Sequence, residues 1–190
     1  MVALSPETFD AIEFDAACSG EHRAAAQEMT RLADTGTQTA AMPRSEAYIR
    51  AGEQWLLADD STEAVEQFQK AIADGGPTFD NPRVSLARAM FALGRPEDAE
   101  ALLREVRESG ARTKPRTCDL VAELLTEQGD LAGALDWATA GVDACLAGDD
   151  RDELQLLLRL RYRLRVDLGL PEDDYDKLLD DKKAGPAAGR

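Results

Sequence analysis

The sequence predicts an all-α protein, a superhelical solenoid of about four to five helix-turn-helix hairpins. Three observations carry this prediction. Alanines Ala64, Ala99 and Ala134 recur at a common interval of 35 residues, within "EAVEQF", "DAEALL" and "GALDWA". A turn signal stands five residues before each: Asp59 in "ADDS", Gly94 in "LGRP" and Gly129 in "QGDL". Apolar residues on both sides of the turns recur at three- and four-residue spacings, the period of a helix with one buried face.

Taken in order, residues 6–39 form a degenerate first unit, with Phe9 and Ile12 before Gly20 and with Ala25, Met29 and Leu32 after it. The polar, Pro-containing "TGTQTAAMP" separates it from a second unit at about 45–78. There Tyr48, Ala51 and Trp55 share one face, and Val65, Phe68 and Ile72 share another. Asp60 or Ser61 is placed to cap the second helix of that unit, and Gly75, Gly76 and Pro77 stop it. Units at about 80–113 and 115–148 follow, with Pro96 at a helix start and Asp130 as a cap. Residues 150–181 read as capping helices, and 184–190 as a disordered tail beyond a single domain at 1–183. Leu158 to Leu168 alternates apolar and charged residues, a strand signal when taken alone. Leu, Arg and Gln favour helix, β-branched residues are nearly absent, and "DDRDEL" is an acidic helix start, so helix is predicted.

Composition excludes several classes of function. With 22 Lys and Arg against 37 Asp and Glu, the net charge of -15 opposes nucleic acid and anionic membrane surfaces. "MVALSPETFD" carries no secretory signal and no apolar run approaches membrane-helix length, so a cytoplasmic protein is expected. Cys18, Cys118 and Cys145 lie far apart without CxxC spacing and are expected to be buried free thiols. No cofactor or metal site is implied: there is no P-loop, GxGxxG, HExxH, GxSxG or calcium-loop spacing. The only histidine, His22, follows Cys18 by four residues, but Gly20 between them points to a turn, no orienting third group is evident, and a solvent-exposed histidine is expected. No catalytic residues are assigned. Acidic pairs at turns, Asp59 with Asp60, Asp149 with Asp150 and Asp173 with Asp174, read as caps and solubilising groups.

Tyr48, Ala51-Gly52, Trp55, Ala64-x3-Phe68 and Pro77 together resemble a tetratricopeptide repeat (TPR). Leu86-Ala87, Met90, Gly94, Ala99 and Leu103 carry the pattern in the next unit, as do Val121-Ala122, Leu125, Gly129 and Ala134 in the one after. Glu13 replaces a small residue in the degenerate unit, and Arg83 and Cys118 stand where an aromatic is usual. Two antiparallel helices approach to about 8 Å only where the crossing side chains are small. Gly52 against Ala64 is expected to supply that crossing, with Trp55 and Phe68 filling its flanks.

The resemblance implies a groove lined by the first helix of each unit. Transferred by position, its lining is Glu46, Ile49, Glu53, Leu56 and Leu57, then Asn81, Val84, Arg88 and Phe91, then Asp119, Glu123, Thr126 and Glu127. The implied function is a non-catalytic scaffold or adaptor holding a peptide that is basic with apolar anchors. Ile49 and Glu53 stand where the carboxylate clamp of some members would begin, so chaperone-tail binding is not expected. The alternative reading is a regulatory or sensor module that takes a small anion or acidic peptide at Arg159 and Arg163. Arg159 shares a helix face with Arg163, and Arg161 with Arg165. Their structural alternative is pairing with acids of the preceding unit.

Overall fold

Ten α-helices make up the regular structure of the described residues, 2–148 and 151–180, in a computed structural model of the chain. They are α1 (Pro6–Ser19), α2 (His22–Thr35), α3 (Arg44–Leu57), α4 (Ser61–Asp74), α5 (Pro82–Ala92), α6 (Pro96–Glu108), α7 (Pro115–Glu127), α8 (Leu131–Gly148), α9 (Arg151–Asp167) and α10 (Asp174–Asp180). A 3-10 turn at Ala111–Thr113 precedes α7. Among the described residues the only β pairing is an isolated parallel bridge between Ala3 and Thr37. No described helix is long and apolar enough to cross a membrane. The tail at 184–190 and the Asp149–Asp150 pair lie outside the described residues.

Short polar residues, prolines and glycines set the boundaries. The Asp60 carboxylate accepts from the Glu63 N–H at the start of α4, and Gly75, at φ 68°, closes that helix in the left-handed region where a Cβ is unfavourable. Asn81 caps α5 ahead of Pro82, and Asp130 accepts from the Gly133 N–H at 2.9 Å ahead of α8. The alternating segment is helical throughout, because Leu, Arg and Gln lose little freedom in a helix.

The chain divides into two compact units, Met1–Glu105 and Val106–Arg190. In the first, α3 packs against α2 and α4, and α4 against α5, while α1 and α5 also touch α3. The approach of α3 to α4 is set by Gly52: a Cβ there would lie 2.5 Å from the Phe68 ring. This corrects the expected pairing, since Phe68, 0% exposed, covers Gly52 instead of flanking it. Ala64 is also fully buried. Ahead of α1, the Leu4 N–H donates to the Thr37 carbonyl and the Thr37 N–H to that of Val2. The Leu4 side chain occupies the space a Cβ on Gly36 would need.

In the second unit α8 packs against α7 and α9, and α10 against α9. Here Gly141 has the corresponding role, because a Cβ would meet Cys118 Cβ and Leu157 Cδ1, each at 2.8 Å. Cys118 therefore suits its position by being small where an aromatic is usual. Val142, Cys145, Leu157 and Leu158 form a buried cluster, with Leu154, Tyr175, Leu178 and Leu179 packed against it. Arg161 is only 4% exposed and pairs with Asp173 and Asp176, while Arg165 binds the same two acids at 3.0 and 3.1 Å. The partners thus follow α9 in the chain, which corrects the expectation that they are acids of the preceding unit. Asp173 is accordingly more than a turn cap, and its carboxyl is held below the usual range by the Arg161 hydrogen bond.

Gly52→Ala is expected to lower stability by about 1–3 kcal/mol through overpacking, despite the roughly 1 kcal/mol by which Ala favours helix over Gly. Urea unfolding measures this, and an unchanged midpoint would show that the Phe68 ring moves aside at no cost.

Candidate functional site

The predicted lining residues fall into two groups, one in each unit. In the first unit, Glu46 lies in the first turn of α3 and its carboxylate accepts the Phe79 N–H at 2.8 Å. That bond holds the loop between α4 and α5, on which the Phe79 side chain is 77% exposed. Glu53, two turns along α3, is partly buried. Burial, then the neighbouring carboxylates of Asp80, Glu13 and Glu46, push its carboxyl up to about 7, with Arg50 opposing. Arg50 is already engaged by Glu13 at 2.5 Å and Asp10 at 2.6 Å, both on α1, and its ring neighbour is Phe9. Its positive charge is therefore shared among several acids, leaving Glu53 short of a cation.

Ile49 and Val84 are buried at 2% and 3% and belong to the core beneath this face, without free surface. Leu56, Arg88 and Phe91 are partly buried, Leu57 is exposed, and Asn81 is occupied as the α5 cap. Sequence reasoning missed Glu13 and Asp80, which reach Glu53 only through the packing of α1 and the α4–α5 loop.

In the second unit, Asp119 and Glu123 share one cavity with Arg159 and Arg163, residues assigned from sequence to separate sites. The cavity measures about 320 Å³ and is completed by Arg116, Leu156 and Leu160. Residues 116, 119 and 123 recur at helical spacing on α7, as do 156, 159, 160 and 163 on α9. That spacing was a signal for Arg116, Leu156 and Leu160, but only packing shows the two faces to be opposite one another. Asp119 is buried, with Arg116 at 3.5 Å. Glu123 and Glu127 are exposed, and Thr126 turns its hydroxyl back to the Ala122 carbonyl at 2.7 Å. Arg159 and Arg163 are exposed and, among the described residues, bind no carboxylate.

The remaining reactive groups are accounted for locally. His22 is not a free surface histidine: it lies beyond Gly20 and its Nδ1 is 3.0 Å from Gln54 Oε1. Cys118 and Cys145 are buried as expected, whereas Cys18 is exposed. Burial pushes the Cys118 thiol up to about 11, leaving little thiolate at neutral pH. Among the described residues no group of three or more His, Cys, Asp or Glu side chains could hold a metal ion.

The position of Glu53 makes a pH prediction. Its carboxyl is raised from 4.5 to about 7 in the folded chain, so between these values folding retains a proton that the unfolded chain has lost. Ionised Glu53 therefore destabilises the fold, an effect absent well below pH 4.5 and complete above about pH 7. Glu53→Gln should raise stability by roughly 1–3 kcal/mol at pH 8 and by less than about 1 kcal/mol at pH 5. Denaturation of both proteins at the two pH values measures it, and an equal effect at both would show that Glu53 is not strained.

Residues 56–124 match the family model described as Tetratricopeptide repeat, a stretch that begins in α3 and ends in α7. No curated protein and no solved structure matches the chain. Residues 56–124 are therefore similar to tetratricopeptide repeats, helical hairpins that generally mediate protein–protein interaction.

Proposed function

We propose that this is a non-catalytic interaction protein whose first unit holds a basic peptide segment against the face formed by α1, α3 and the α4–α5 loop. The observation that carries the reading is Glu53: burial and three neighbouring carboxylates raise it to about 7, so an incoming cation relieves a repulsion that already exists. Glu46 and Asp80 supply further negative charge. Phe79, 77% exposed, and the exposed Leu57 are the available apolar anchors. Charge selects the partner and speeds encounter, while apolar contact supplies residence time. The repeat match between residues 56 and 124 supports an interaction role; it takes in Leu57, Phe79 and Asp80, while Glu46 and Glu53 precede it.

A labelled Lys- and Leu-rich decapeptide titrated into the full chain tests this. Binding should tighten from pH 6 to pH 8, because Glu53 ionises across that interval, and Glu53→Gln should flatten the profile and weaken binding at pH 8 about fivefold or more. Raising salt from about 0.05 to 0.5 M should slow association, as the Debye length falls from roughly 14 Å to about 4 Å. No binding, or a pH profile that Glu53→Gln leaves unchanged, overturns the assignment of this face.

A further inference from the structure

Four arginines alternate along α9 in a chain of net charge -15, and the structure divides them into two pairs. Arg161 and Arg165 are consumed by Asp173 and Asp176 and fasten α10 to α9. Arg159 and Arg163 point the other way, into the cavity with Arg116, Asp119 and Glu123, and among the described residues neither has an ionic partner. Fastening α10 accounts for one pair and leaves the other without a structural task.

We propose that the α7–α9 cavity binds a side-chain carboxylate of an acidic peptide segment, with Arg159 and Arg163 as the paired donors. Charge complementarity selects the ligand. Arg116 and Asp119 offset each other, Glu123 contributes one negative charge, and Arg159 and Arg163 contribute two positive charges, leaving the cavity with a net charge of one. One carboxylate neutralises that charge. A phosphate dianion would exceed it and face Glu123 and Asp119 at close range, where like charges repel. Guanidinium groups four residues apart on one helix face present forked N–H donors that match the two oxygens of a carboxylate. Leu156, 50% exposed, and Leu160 on the same wall favour an aliphatic residue beside the acid, which distinguishes a peptide segment from a bare small anion. The second unit thus prefers charge of the opposite sign to that taken by the first, and this inference does not rest on the basic-peptide reading.

The test uses the full chain and a fluorescent decapeptide of alternating Glu and Leu, amidated at its C-terminus so that only side-chain carboxylates can enter. Fluorescence anisotropy should show saturable binding that the joint change Arg159→Gln and Arg163→Gln weakens at least tenfold. Both side chains are exposed and make no ion pair, so folding should survive, which circular dichroism checks. Glu123→Gln, which removes the one opposing charge, should tighten binding two- to fivefold. The Gln and Leu version of the peptide should not bind, and the basic decapeptide should be indifferent to the arginine changes, which separates failure of this site from failure of the first. Binding that survives loss of both arginines, equal binding of the Gln peptide, or no binding at millimolar peptide overturns the proposal. Displacement by inorganic phosphate but not by chloride of equal ionic strength would reassign the cavity to phosphate.

Discussion

The close approach of paired helices at a glycine is the constraint on which the rest of the structure depends. At Gly52 the α3 backbone lies so near α4 that the Phe68 ring occupies the volume a Cβ would fill. At Gly141 the neighbours are Cys118 and Leu157, one from each of the helices flanking α8. A helix interior disfavours glycine by roughly 1 kcal/mol relative to alanine, so its presence here is offset by packing. The fit also sets the size of the facing residue. A ring sits over Gly52, and a thiol suffices at Cys118 because Leu157 of the next hairpin shares the space.

Once the helices are seated, the charges are sorted by what faces them. The Arg161 and Arg165 guanidiniums meet Asp173 and Asp176 where Arg161 and Asp176 are buried and Asp173 is partly exposed; Arg161 also lies 4.6 Å from the centre of the Tyr175 ring and the Tyr175 hydroxyl reaches Asp143. The seven-residue α10 sets Tyr175, Leu178 and Leu179 against the buried cluster, and these bonds help hold it on α9. Arg50 does comparable work in the first unit by tying α1 to α3 through Asp10 and Glu13. Glu13, too large for the small-residue position of a tight repeat, is thereby turned into a cross-helix contact.

The charges left over define the two candidate faces. Glu53 is crowded by acids whose nearest cation is already engaged, while Arg159 and Arg163 stand in a cavity with more cation than anion. In each case a structural ion pair absorbs one group and leaves its neighbour available. The two candidate faces therefore carry opposite local charge in a chain that is acidic overall.

The sequence by itself determined the helices, their turns and the repeat. These depend on local chemistry: a 35-residue register of alanines, glycine at positive φ, proline and short polar caps at helix starts, and Leu and Arg in place of β-branched residues in α9. It also separated the four arginines into two faces, since that follows from 3.6 residues per turn. Only the tertiary structure decided which face met which neighbour. Phe68 over Gly52, His22 against Gln54, Asp80 beside Glu53, and Arg159 with Glu123 in one cavity are all meetings between helices or loops. Helical periodicity states which residues share a side, but the rotation and spacing of two packed helices come from the interlocking of all their side chains at once. Burial of Ile49 and Val84, and the raised carboxyl of Glu53, follow from that same packing, because desolvation is a property of the surroundings and not of the residue.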